Sequence, residues 1–471
     1  MRPAFPFAPL ALALLLAGCA AGPDYHAPDL GLPGHYRANL DPSQASAQAP
    51  WWASFADPQL DALEVAAMAQ NLDLAQAMAR LDQARGVARA AGAARLPAAQ
   101  ATLQAARSRQ SLANSVGVIE QLFPQFRRDS ELYDASLGAS WELDLSGGLG
   151  RSAEAARAEL DAAHAGVEAA RLMVSVEVAE AYVALRGAQQ RRLILEKQIG
   201  LLRDTMALVQ LRLDQGAAAQ RDLDAAAADL AQAEAVRPAL AAAAEAQLDR
   251  LSVLIGRPPE APRGELARAA AVPRPAPGFA GAPADLLRRR PDLVVAERRL
   301  AAANARIGAA IADYYPKVSL SALLGAESLS TESLFSGRAG LAQSALGLRW
   351  RLFDFGRVAA EVATARGREA EALAAYRQAV LRAAADVEAA LTARLQTAEQ
   401  AQRLADARRD LARRRASTAD AYAAGAASLL ELMDADRQLL AVEDRVIQAQ
   451  VGQALAEVSL ARGAGGPLGP G

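Results

Sequence analysis

The sequence predicts a mixed α/β membrane protein with an internal two-fold repeat, in which each copy holds one β-hairpin and several long helices. Three observations predict this fold class. The second half of the chain repeats the first at a nearly constant offset, short segments alternate apolar with polar residues, and two long runs, 151–214 and 357–423, contain no proline. A repeat of this length indicates one structural module used twice.

The repeat is visible as identical residues at a fixed spacing. Over the later part of each copy, a shift of 209 positions aligns Trp141/Trp350, Gly147/Gly356, Arg157/Arg366, Val178/Val387, Gly216/Gly425, Leu223/Leu432 and Leu230/Leu439. Over the earlier part, a shift of 219 positions aligns Asp73/Asp292, Leu74/Leu293, Arg80/Arg299, Leu81/Leu300 and Pro97/Pro316. The change of shift indicates ten additional residues in the first copy, between Pro97 and Trp141.

The amino-acid composition suits tightly packed helices. Hydrophobic residues make up 52% of the 471 positions and aromatic residues only 4%, and alanine is the commonest of the hydrophobic residues. Alanine has the highest helix propensity, and its small side chain lets neighbouring helices approach closely. The 51 basic and 53 acidic residues leave a formal net charge of −2, so we expect no nucleic-acid partner.

The N-terminus is typical of an exported bacterial lipoprotein. Arg2 precedes a short apolar run at 5–17, which is too short to cross a bilayer as a helix. The run ends in Leu16-Ala17-Gly18-Cys19, which resembles the lipoprotein box, whose cysteine is diacylated and becomes the mature N-terminus. Cys19 is the only cysteine, so it has no disulfide partner in the chain. We therefore expect a signal peptide at 1–18 and a covalent lipid on Cys19; an ordinary cleaved signal with a chance cysteine is the alternative.

The mature chain is expected to begin with a tether and to continue into the first repeat. Residues 19–57 are rich in proline, glycine and polar residues, which indicates a lipid-anchored N-terminal tether. Asp57-Pro58 then starts a helix, because proline is favoured at the first helical position. The first structural repeat spans 58–255, with a helix at 60–96, a β-hairpin at about 97–145, a long helix at 151–214 and a return helix at 220–255. At 1.5 Å per residue, such a long helix reaches ~95 Å.

The second repeat is expected to have the same order of elements. A proline-rich inter-repeat linker at 256–283 separates the two copies. The second structural repeat spans 284–462, with a helix at 285–311, a β-hairpin at about 316–353, a long helix at 357–423 and a return helix at 428–462. Gly216 and Gly425 are natural C-terminal stops for the long helices. The last residues, 463–471, predict a flexible tail.

Strict alternation predicts the β-strands. Between Tyr133 and Asp144, every odd position is apolar or aromatic and every even position is polar or glycine. A period of two is that of a strand with one apolar and one polar face. The partner segment 99–105 alternates less cleanly, and the second copy repeats the pattern at 318–324 and 346–352. Each copy thus contributes one hairpin, and the chain contributes four strands.

Four strands raise a problem of closure. Strands of ~10 residues with this alternation suit a membrane barrel, with apolar side chains toward lipid and polar ones toward the lumen. Four strands cannot close a barrel, and open edges in a bilayer leave unpaired backbone groups. The chain must therefore oligomerise or not span the membrane. A soluble sandwich is the alternative, but it would need a covering layer that the sequence lacks.

Taken together, these segments resemble the TolC-type outer membrane factors, specifically the lipoprotein branch of RND-type efflux systems (NodT-like outer membrane efflux lipoproteins). The resemblance covers residues 16–462. Its matching stretches are the Cys19 box with Gly22-Pro23-Asp24-Tyr25, Trp51-Trp52, Phe55-Ala56-Asp57-Pro58, Asn71-Leu72-Asp73-Leu74, Trp141-Glu142-Leu143-Asp144-Leu145, Asp285-Leu286-Leu287-Arg288-Arg289-Arg290-Pro291-Asp292, Ala301 to Gly308, Leu352-Phe353-Asp354-Phe355-Gly356-Arg357 and Tyr422-Ala-Ala-Gly425.

The resemblance implies an assembly that solves the problem of closure. Three chains of a homotrimer would supply four strands each to one twelve-stranded outer-membrane β-barrel, continuous with a long periplasmic α-helical tube that tapers to a closed tip. The implied partners are a periplasmic adaptor (membrane fusion) protein, an inner-membrane pump of RND or related type, and outer-membrane lipid. The implied location is the outer membrane of a Gram-negative bacterium.

The resemblance also implies a function. We expect a passive exit duct that exports drugs or other small toxic compounds supplied by the pump. A duct for type I protein secretion is an alternative within the same class. A structural coiled-coil envelope lipoprotein without a lumen is an alternative of another class, but the alternating strands argue against it, because such a spacer needs no lipid-facing barrel.

We expect neither catalysis nor a cofactor other than the lipid on Cys19. The three histidines, His26, His35 and His164, are scattered along the chain, whereas a metal site needs clustered ligands. The segment Gly147-Gly148-Leu149-Gly150 is rich in glycine, but it lacks the Lys-Ser/Thr that follows in a phosphate-binding loop. A turn between a strand and a helix accounts for these glycines.

The resemblance places a periplasmic gate near Gly216 and Gly425. The positions that match the family's constriction are Tyr422, Glu431, Asp434 and, in the first copy, Asp222. Glu431 and Asp434 are i, i+3 neighbours on one helix face, so in a trimer each would form a ring of three carboxylates and a hydrated constriction. Ordinary helix capping or a solvated face is the alternative.

One position departs from the family's pattern at the tip. The family has a basic residue two positions after the second tip glycine, and this chain has Ala427 there. The salt bridge between protomers that closes some relatives is therefore expected to be absent, or to be made by Arg221 instead.

Overall fold

The computed structural model describes residues 21–29, 50–120, 122, 127–260, 264–276 and 289–466. Several of the predicted features lie outside the described residues. They are the signal peptide 1–18, Cys19, most of the tether, His35, part of the inter-repeat linker, the segment Asp285 to Arg288 at the start of the second repeat, and most of the tail. Within the described ranges, no helix combines the length and the apolar character needed to cross a membrane.

The first copy begins after a short 3-10 helix, Trp51–Phe55. Its elements are α1 (Pro58–Gln70), α2 (Leu72–Ala93), β1 (Ala98–Arg109), α3 (Ser115–Glu120), β2 (Asp129–Leu143), α4 (Gly148–Asp214) and α5 (Gln220–Leu254). A second 3-10 helix, Gly264–Ala267, follows in the linker. The elements of the second copy are α6 (Pro291–Ala312), β3 (Lys317–Ser328), β4 (Gly340–Arg349), α7 (Arg357–Ala423) and α8 (Leu429–Ala464). The long helices α4 and α7 each contain 67 residues.

The first helical region differs from the single helix expected at 60–96, because α1 and α2 are separated at Asn71. The backbone of Asn71 is extended, with ψ 131°. Its side-chain Oδ1 accepts hydrogen bonds from the backbone N–H groups of Asp73 at 2.9 Å and Leu74 at 3.0 Å. Asn71 therefore ends α1 and caps α2, a role that asparagine favours at helix N-termini.

The chain folds into two compact units, each drawn from both copies. The sheet unit takes its described residues from Met1–Pro28, Asp82–Ala162 and Glu297–Ala375. The helical unit takes its described residues from Asp29–Leu81, Ala163–Ala296 and Tyr376–Gly471.

The sheet unit contains one antiparallel sheet of order β1-β2-β3-β4. In the two hairpins, Ala101 pairs with Leu137 and Val318 pairs with Leu348. The central pairing of β2 with β3, which places Trp141 opposite Leu320, joins the first copy to the second. Both hairpins therefore belong to one continuous four-stranded surface.

The helical unit has its largest hydrophobic core around the 3-10 helix Trp51–Phe55 and the middle of α4. The indole Nε1 of Trp51 donates to the hydroxyl oxygen of Ser175 at 2.9 Å, and the rings of Trp51 and Trp52 pack edge to face, 6.0 Å apart. The hydroxyl group of Tyr182 donates to Oδ2 of Asp57 at 2.8 Å, while Oδ1 of Asp57 caps α1. These contacts fix the end of the tether and the start of α1 on α4.

Candidate functional site

The sheet presents two chemically different faces. The observed register aligns the alternating positions of all four strands, so that most of the large apolar side chains share one face. One face carries Ala99, Ala101, Leu103, Ala105, Tyr133, Ala135, Leu137, Ala139, Trp141, Leu143, Val318, Leu320, Ala322, Leu324, Ala326, Ala342, Ser344, Leu346 and Leu348. The opposite face carries mainly polar residues, with some apolar ones among them: Gln100, Thr102, Gln104, Asp134, Ser136, Ser140, Glu142, Ser319, Ser321, Glu327, Gln343 and Arg349, together with Ala98, Ala106, Leu132, Leu323, Leu341 and Ala345.

The apolar face is exposed within the single chain. Leu103 is 84% exposed, Leu346 is 71% exposed and Leu324 is 61% exposed. An apolar surface of this extent marks an interaction site, and its alternation with polar residues is that of a strand between lipid and an aqueous lumen. A hollow of about 350 Å³ lies against the sheet, and its lining includes Gln100 and Gln343 of the polar face.

A tryptophan makes the same contact in each copy where the sheet meets the helices. Nε1 of Trp141 donates to the carbonyl oxygen of Arg95, and Nε1 of Trp350 donates to that of Tyr314, both at 2.9 Å. Trp350 follows Trp141 by 209 positions and Tyr314 follows Arg95 by 219 positions, so the two hydrogen bonds are equivalent in the repeat. Tryptophan is enriched at membrane–water interfaces, where its ring is apolar and its N–H finds a partner. Neither tryptophan was predicted from the sequence to belong to a site, although the repeat aligns Trp141 with Trp350.

The two predicted tip turns have the same backbone geometry. Gly216 and Gly425 both have φ 72°, in the left-handed region. The backbone N–H of the residue after each glycine donates to a carbonyl oxygen in the last turn of the long helix. Ala217 donates to the carbonyl oxygen of Arg212 at 2.7 Å, and Ala426 donates to that of Ala421 at 2.8 Å. This pattern is a helix C-terminus of the Schellman type, so the long helices end where the sequence predicted.

Two of the predicted gate carboxylates, Glu431 and Asp222, occupy equivalent capping positions. Glu431 accepts from the backbone N–H of Ser428 at 2.6 Å, while its own N–H donates to the hydroxyl oxygen of Ser428 at 3.2 Å. Asp222 accepts from the backbone N–H of Ala219 at 3.0 Å. The backbone N–H of Ser428, together with its hydroxyl group, holds the pKa of Glu431 below its ordinary value. Both carboxylates therefore cap their return helices, which was the alternative to a gate.

Asp434 has partners of its own on the same helix. It accepts from Nη2 of Arg437 at 2.8 Å and from Nε2 of Gln438 at 2.6 Å. Nη1 of Arg437 also lies 4.0 Å from Oδ2 of Asp229 in α5. Arg437 thus partly neutralises Asp434 within the chain. Arg437 was not among the predicted gate residues, although its spacing of three residues from Asp434 indicates an ion pair.

Two further tip residues, Tyr422 and Arg221, lie at the protein surface. Tyr422, near the end of α7, is 42% exposed. Nε of Arg221 lies 3.5 Å from Oδ1 of its neighbour Asp222, and both side chains are solvent-exposed. Among the described residues, no group of three or more His, Cys, Asp or Glu side chains is arranged to hold a metal ion.

Comparison with known proteins agrees with this geometry. The chain matches the family "Outer membrane efflux protein" over residues 63–257 and 282–466. It is 32% identical to the pyoverdine export outer membrane protein OpmQ of Pseudomonas putida, over 97% of this chain and 96% of that protein. It is 31% identical to nodulation protein T of Rhizobium leguminosarum bv. viciae, over 92% and 88% of the two chains. The solved structure of the outer-membrane channel OprN superposes with a TM-score of 0.84 at 31% identity, covering 96% of this chain and all of that one.

The fold and these matches define an outer-membrane channel of the efflux class. The chain belongs to the outer membrane efflux protein family. The predicted fold class is confirmed: a trimeric twelve-stranded outer-membrane β-barrel, with four strands from each chain, together with a long periplasmic helical tube and an internal two-fold repeat. The predicted location in the outer membrane of a Gram-negative bacterium is likewise confirmed.

Proposed function

We propose that this chain is the exit duct of a tripartite efflux system. Three chains form the channel, and a periplasmic adaptor joins it to an inner-membrane pump of RND or related type. The observation that carries this function is the two-faced sheet, whose described strands β1 and β4 are the two edges of an open four-stranded surface. Edges of this kind are tolerated in hydrocarbon only when another strand pairs with them.

The duct conducts its substrates without changing them. It performs no catalysis, and the covalent lipid is its only non-protein group. We favour small molecules over secreted proteins as substrates, because the relative OpmQ is named for the export of pyoverdine. Energy for transport comes from the pump.

The chain is attached to the outer membrane by acylation of Cys19 as well as by its strands. The organisation that we propose consists of a signal peptide (1–18), a lipid-anchored tether (19–57), a first repeat (58–255), a linker (256–283), a second repeat (284–462) and a tail (463–471). The lone cysteine at the end of a short apolar run supports this assignment.

The periplasmic gate lies at the tips, at Tyr422, Glu431, Asp434 and Asp222. Capping places the carboxylates of Glu431 and Asp222 at the start of α8 and α5. Three copies of each would form acidic rings that keep the constriction hydrated and favour cations. Asp434 contributes less to the negative charge of these rings, because it forms an ion pair with Arg437. Glu431 is therefore the principal acidic residue of the proposed gate.

Conductance across a planar bilayer tests the channel and its gate together. The purified trimer should form discrete pores whose open fraction rises when the adaptor is added. Glu431→Gln should lower cation selectivity and change conductance more than Asp434→Asn does. Glu399→Gln is the matched control, because Glu399 is an exposed glutamate of α7 that pairs only weakly with Arg403, at 3.7 Å. Equal conductance and selectivity in Glu431→Gln and the unmodified channel would refute the gate assignment while leaving the duct intact.

A drug-susceptibility profile tests the export function in cells. Deletion of the gene should increase sensitivity to several classes of small toxic compound, and the intact gene should restore resistance. Unchanged sensitivity together with loss of a secreted protein would favour the type I secretion alternative instead.

A further inference from the structure

Two cationic residues oppose each other at the end of the sheet that joins helices α6 and α7. Lys317 is the first residue of β3, Arg349 is the last residue of β4, and the register pairs them directly. Lys317 lies two positions before Ser319, so both cations belong to the polar face. Like charges at directly opposed positions destabilise a pair of strands, so stability does not explain this pairing.

The fold does not require charge at this place. The shifts of 219 and 209 positions relate Lys317 to Ala98 and Arg349 to Ser140. Ala98 and Ser140 also pair directly, in the hairpin of the first copy, so small neutral side chains serve at the equivalent positions. The second copy therefore adds positive charge to the polar face at a cost in stability, which indicates a functional role.

The carboxylates near this pair leave Arg349 without a counter-ion. Nζ of Lys317 lies 2.8 Å from Oδ1 of Asp313. Nη1 of Arg351 lies 3.9 Å from Oδ2 of the same carboxylate and 3.9 Å from Oε2 of Glu361. Arg349 is exposed, and within the described part of the chain no carboxylate lies within ion-pairing distance of it. Each chain thus presents one uncompensated guanidinium group here.

The other carboxylates of the polar face lie away from Arg349. Glu142 is on β2, two strands from β4, where it opposes Ser319. Asp134 opposes Glu327, the next-to-last residue of β3. These two carboxylates therefore lie near the far end of the sheet, roughly 30 Å from Arg349 along the strands. The end of the sheet next to the helices is the positive one.

Closure of the barrel does not neutralise this charge either. It pairs β4 with β1 of the next chain, because these two strands are the edges of the sheet. The polar face of β1 carries Gln100, Thr102 and Gln104, and none of its positions in the strand is charged. Three copies of Arg349 therefore form a ring of guanidinium groups around the lumen.

We propose that Arg349, with Lys317 beside it, forms an anion-binding site in the lumen of the barrel, which recognises carboxylate and other oxyanion groups of passing solutes. A guanidinium group can bind a carboxylate through two parallel hydrogen bonds, and a ring of cationic side chains in a pore favours anions. The inference rests on the proposed duct, because it needs a continuous lumen. It gives the barrel a charge preference opposite to that of the proposed acidic gate.

Block of the channel current by citrate in a planar bilayer tests the site. Citrate carries three carboxylates and is added to the purified trimer on the side of the outer end of the barrel. Arg349→Gln should raise the half-blocking concentration roughly tenfold, which corresponds to the loss of one hydrogen bond between charged groups. Lys317→Gln should raise it less, because Lys317 already pairs with Asp313. Arg349→Lys should retain part of the block.

The reversal potential in a KCl gradient gives a second measurement with a defined sign. Arg349→Gln should increase the preference of the channel for cations, because it removes positive charge from the lumen. This change is opposite in direction to the one expected of Glu431→Gln at the tip. Glu142→Gln, which removes a carboxylate at the same end of the polar face, should lower the half-blocking concentration of citrate.

Arg109→Gln is the matched control. Arg109 is an exposed arginine on the other face of the sheet, at the far end of β1, and Nε lies 3.8 Å from Oδ1 of Asp129. Its removal should leave citrate block unchanged. Arg349→Ser is a second test variant, because serine occupies the equivalent position of the first copy, and native mass spectrometry verifies that each variant is a trimer.

The outcomes separate the anion site from the duct. Pores with equal citrate block in Arg349→Gln, Arg349→Ser and Arg109→Gln would overturn the anion site and leave the duct intact. A stable trimer that conducts no ions, even with the adaptor present, would refute the duct and the anion site together. Weaker block in both Arg349 variants, with the control unchanged, is the result that the proposal predicts.

Discussion

Arg290 donates from Nη1 to the carbonyl oxygen of Gly463 at 3.0 Å, which joins the start of α6 to the end of α8. The first copy contains the same relationship. There, Nδ2 of Asn71 donates to the carbonyl oxygen of Leu254 at 2.9 Å, joining the start of α2 to the end of α5. The shift of 219 relates the two donors and the shift of 209 relates the two acceptors. The repeat thus extends from sequence to individual tertiary contacts, with different side chains making the equivalent bond.

Loss of the Arg290 side chain should destabilise the helical unit. Arg290 is 8% exposed and also pairs with Asp292 at 2.7 Å. Arg290→Ala would leave the carbonyl oxygen of Gly463 without this donor, and hydrogen bonds to charged groups contribute about 1.5–3 kcal/mol each. We expect a loss of about 2 kcal/mol in the free energy of unfolding, measured by denaturant titration of the detergent-solubilised protein. Arg289→Ala, at an exposed neighbouring position, is the control and should change little.

Asn71→Ala should destabilise the helical unit about as much as Arg290→Ala does. It removes one neutral hydrogen bond to Leu254 and the cap of α2, each contributing about 1 kcal/mol. The same denaturant titration measures this effect. Equal stability of Asn71→Ala and the unmodified protein would contradict the role of Asn71 in joining α2 to α5.

The stability of the helical unit should depend on pH through Glu64. This residue is fully buried in the helical unit, and among the described residues its carboxyl oxygens have no partner at good hydrogen-bond geometry. Burial raises the pKa of Glu64 well above its ordinary value, an effect that the hydroxyl group of Ser175 only partly offsets. The folded state thus retains a proton that the unfolded chain loses near the ordinary pKa. The free energy of unfolding should therefore fall as pH rises from the ordinary pKa of glutamate toward the raised pKa of Glu64 in the folded state.

Glu64→Gln should remove this part of the pH dependence. The amide keeps the shape of the side chain without a charge, so the variant should be the more stable protein at neutral pH and similar to the unmodified protein in acid. Melting temperatures at pH 5 and pH 8 measure the difference. Glu399→Gln, on an exposed part of α7, should retain the pH dependence of the unmodified protein. An unchanged pH dependence in Glu64→Gln would exclude Glu64 as its source.

Substitutions of glycine by alanine should have opposite effects at the tips and within α4. Gly216 and Gly425 have φ 72°, a conformation in which a Cβ is strained by about 1 kcal/mol. Gly216→Ala and Gly425→Ala should therefore lower the melting temperature. Gly166 lies within α4, and an added Cβ there meets no atom within 4 Å, so Gly166→Ala should raise stability by about 0.5–1 kcal/mol. Destabilisation by all three changes would contradict this distinction.

The sequence predicted the fold from local patterns that the structure preserves. The alternation around Trp141 predicted the two faces of the sheet, because a strand's side chains alternate whatever its neighbours are. The glycines at 216 and 425 predicted the helix ends for an equally local reason. The break at Asn71 was missed, since the leucine and alanine pattern of α1 continues into α2 without a change of period.

The site was less predictable because it depends on contacts between distant residues. Ser428 with Glu431 is a capping-box pattern that can be read directly from the sequence, and it identifies the role that the structure gives Glu431. The contact of Arg151 with Ala21 joins positions 130 residues apart. No local pattern in the sequence indicates a contact between positions so far apart.

The number of chains in the purified protein tests the central claim most directly. Native mass spectrometry in a mild detergent, combined with circular dichroism of the same sample, measures assembly and β-structure together. The open four-stranded sheet predicts a complex of three chains that retains its β-structure. A stable monomer with the same β-structure would contradict the account, because one chain alone cannot pair the edges of β1 and β4 within the membrane.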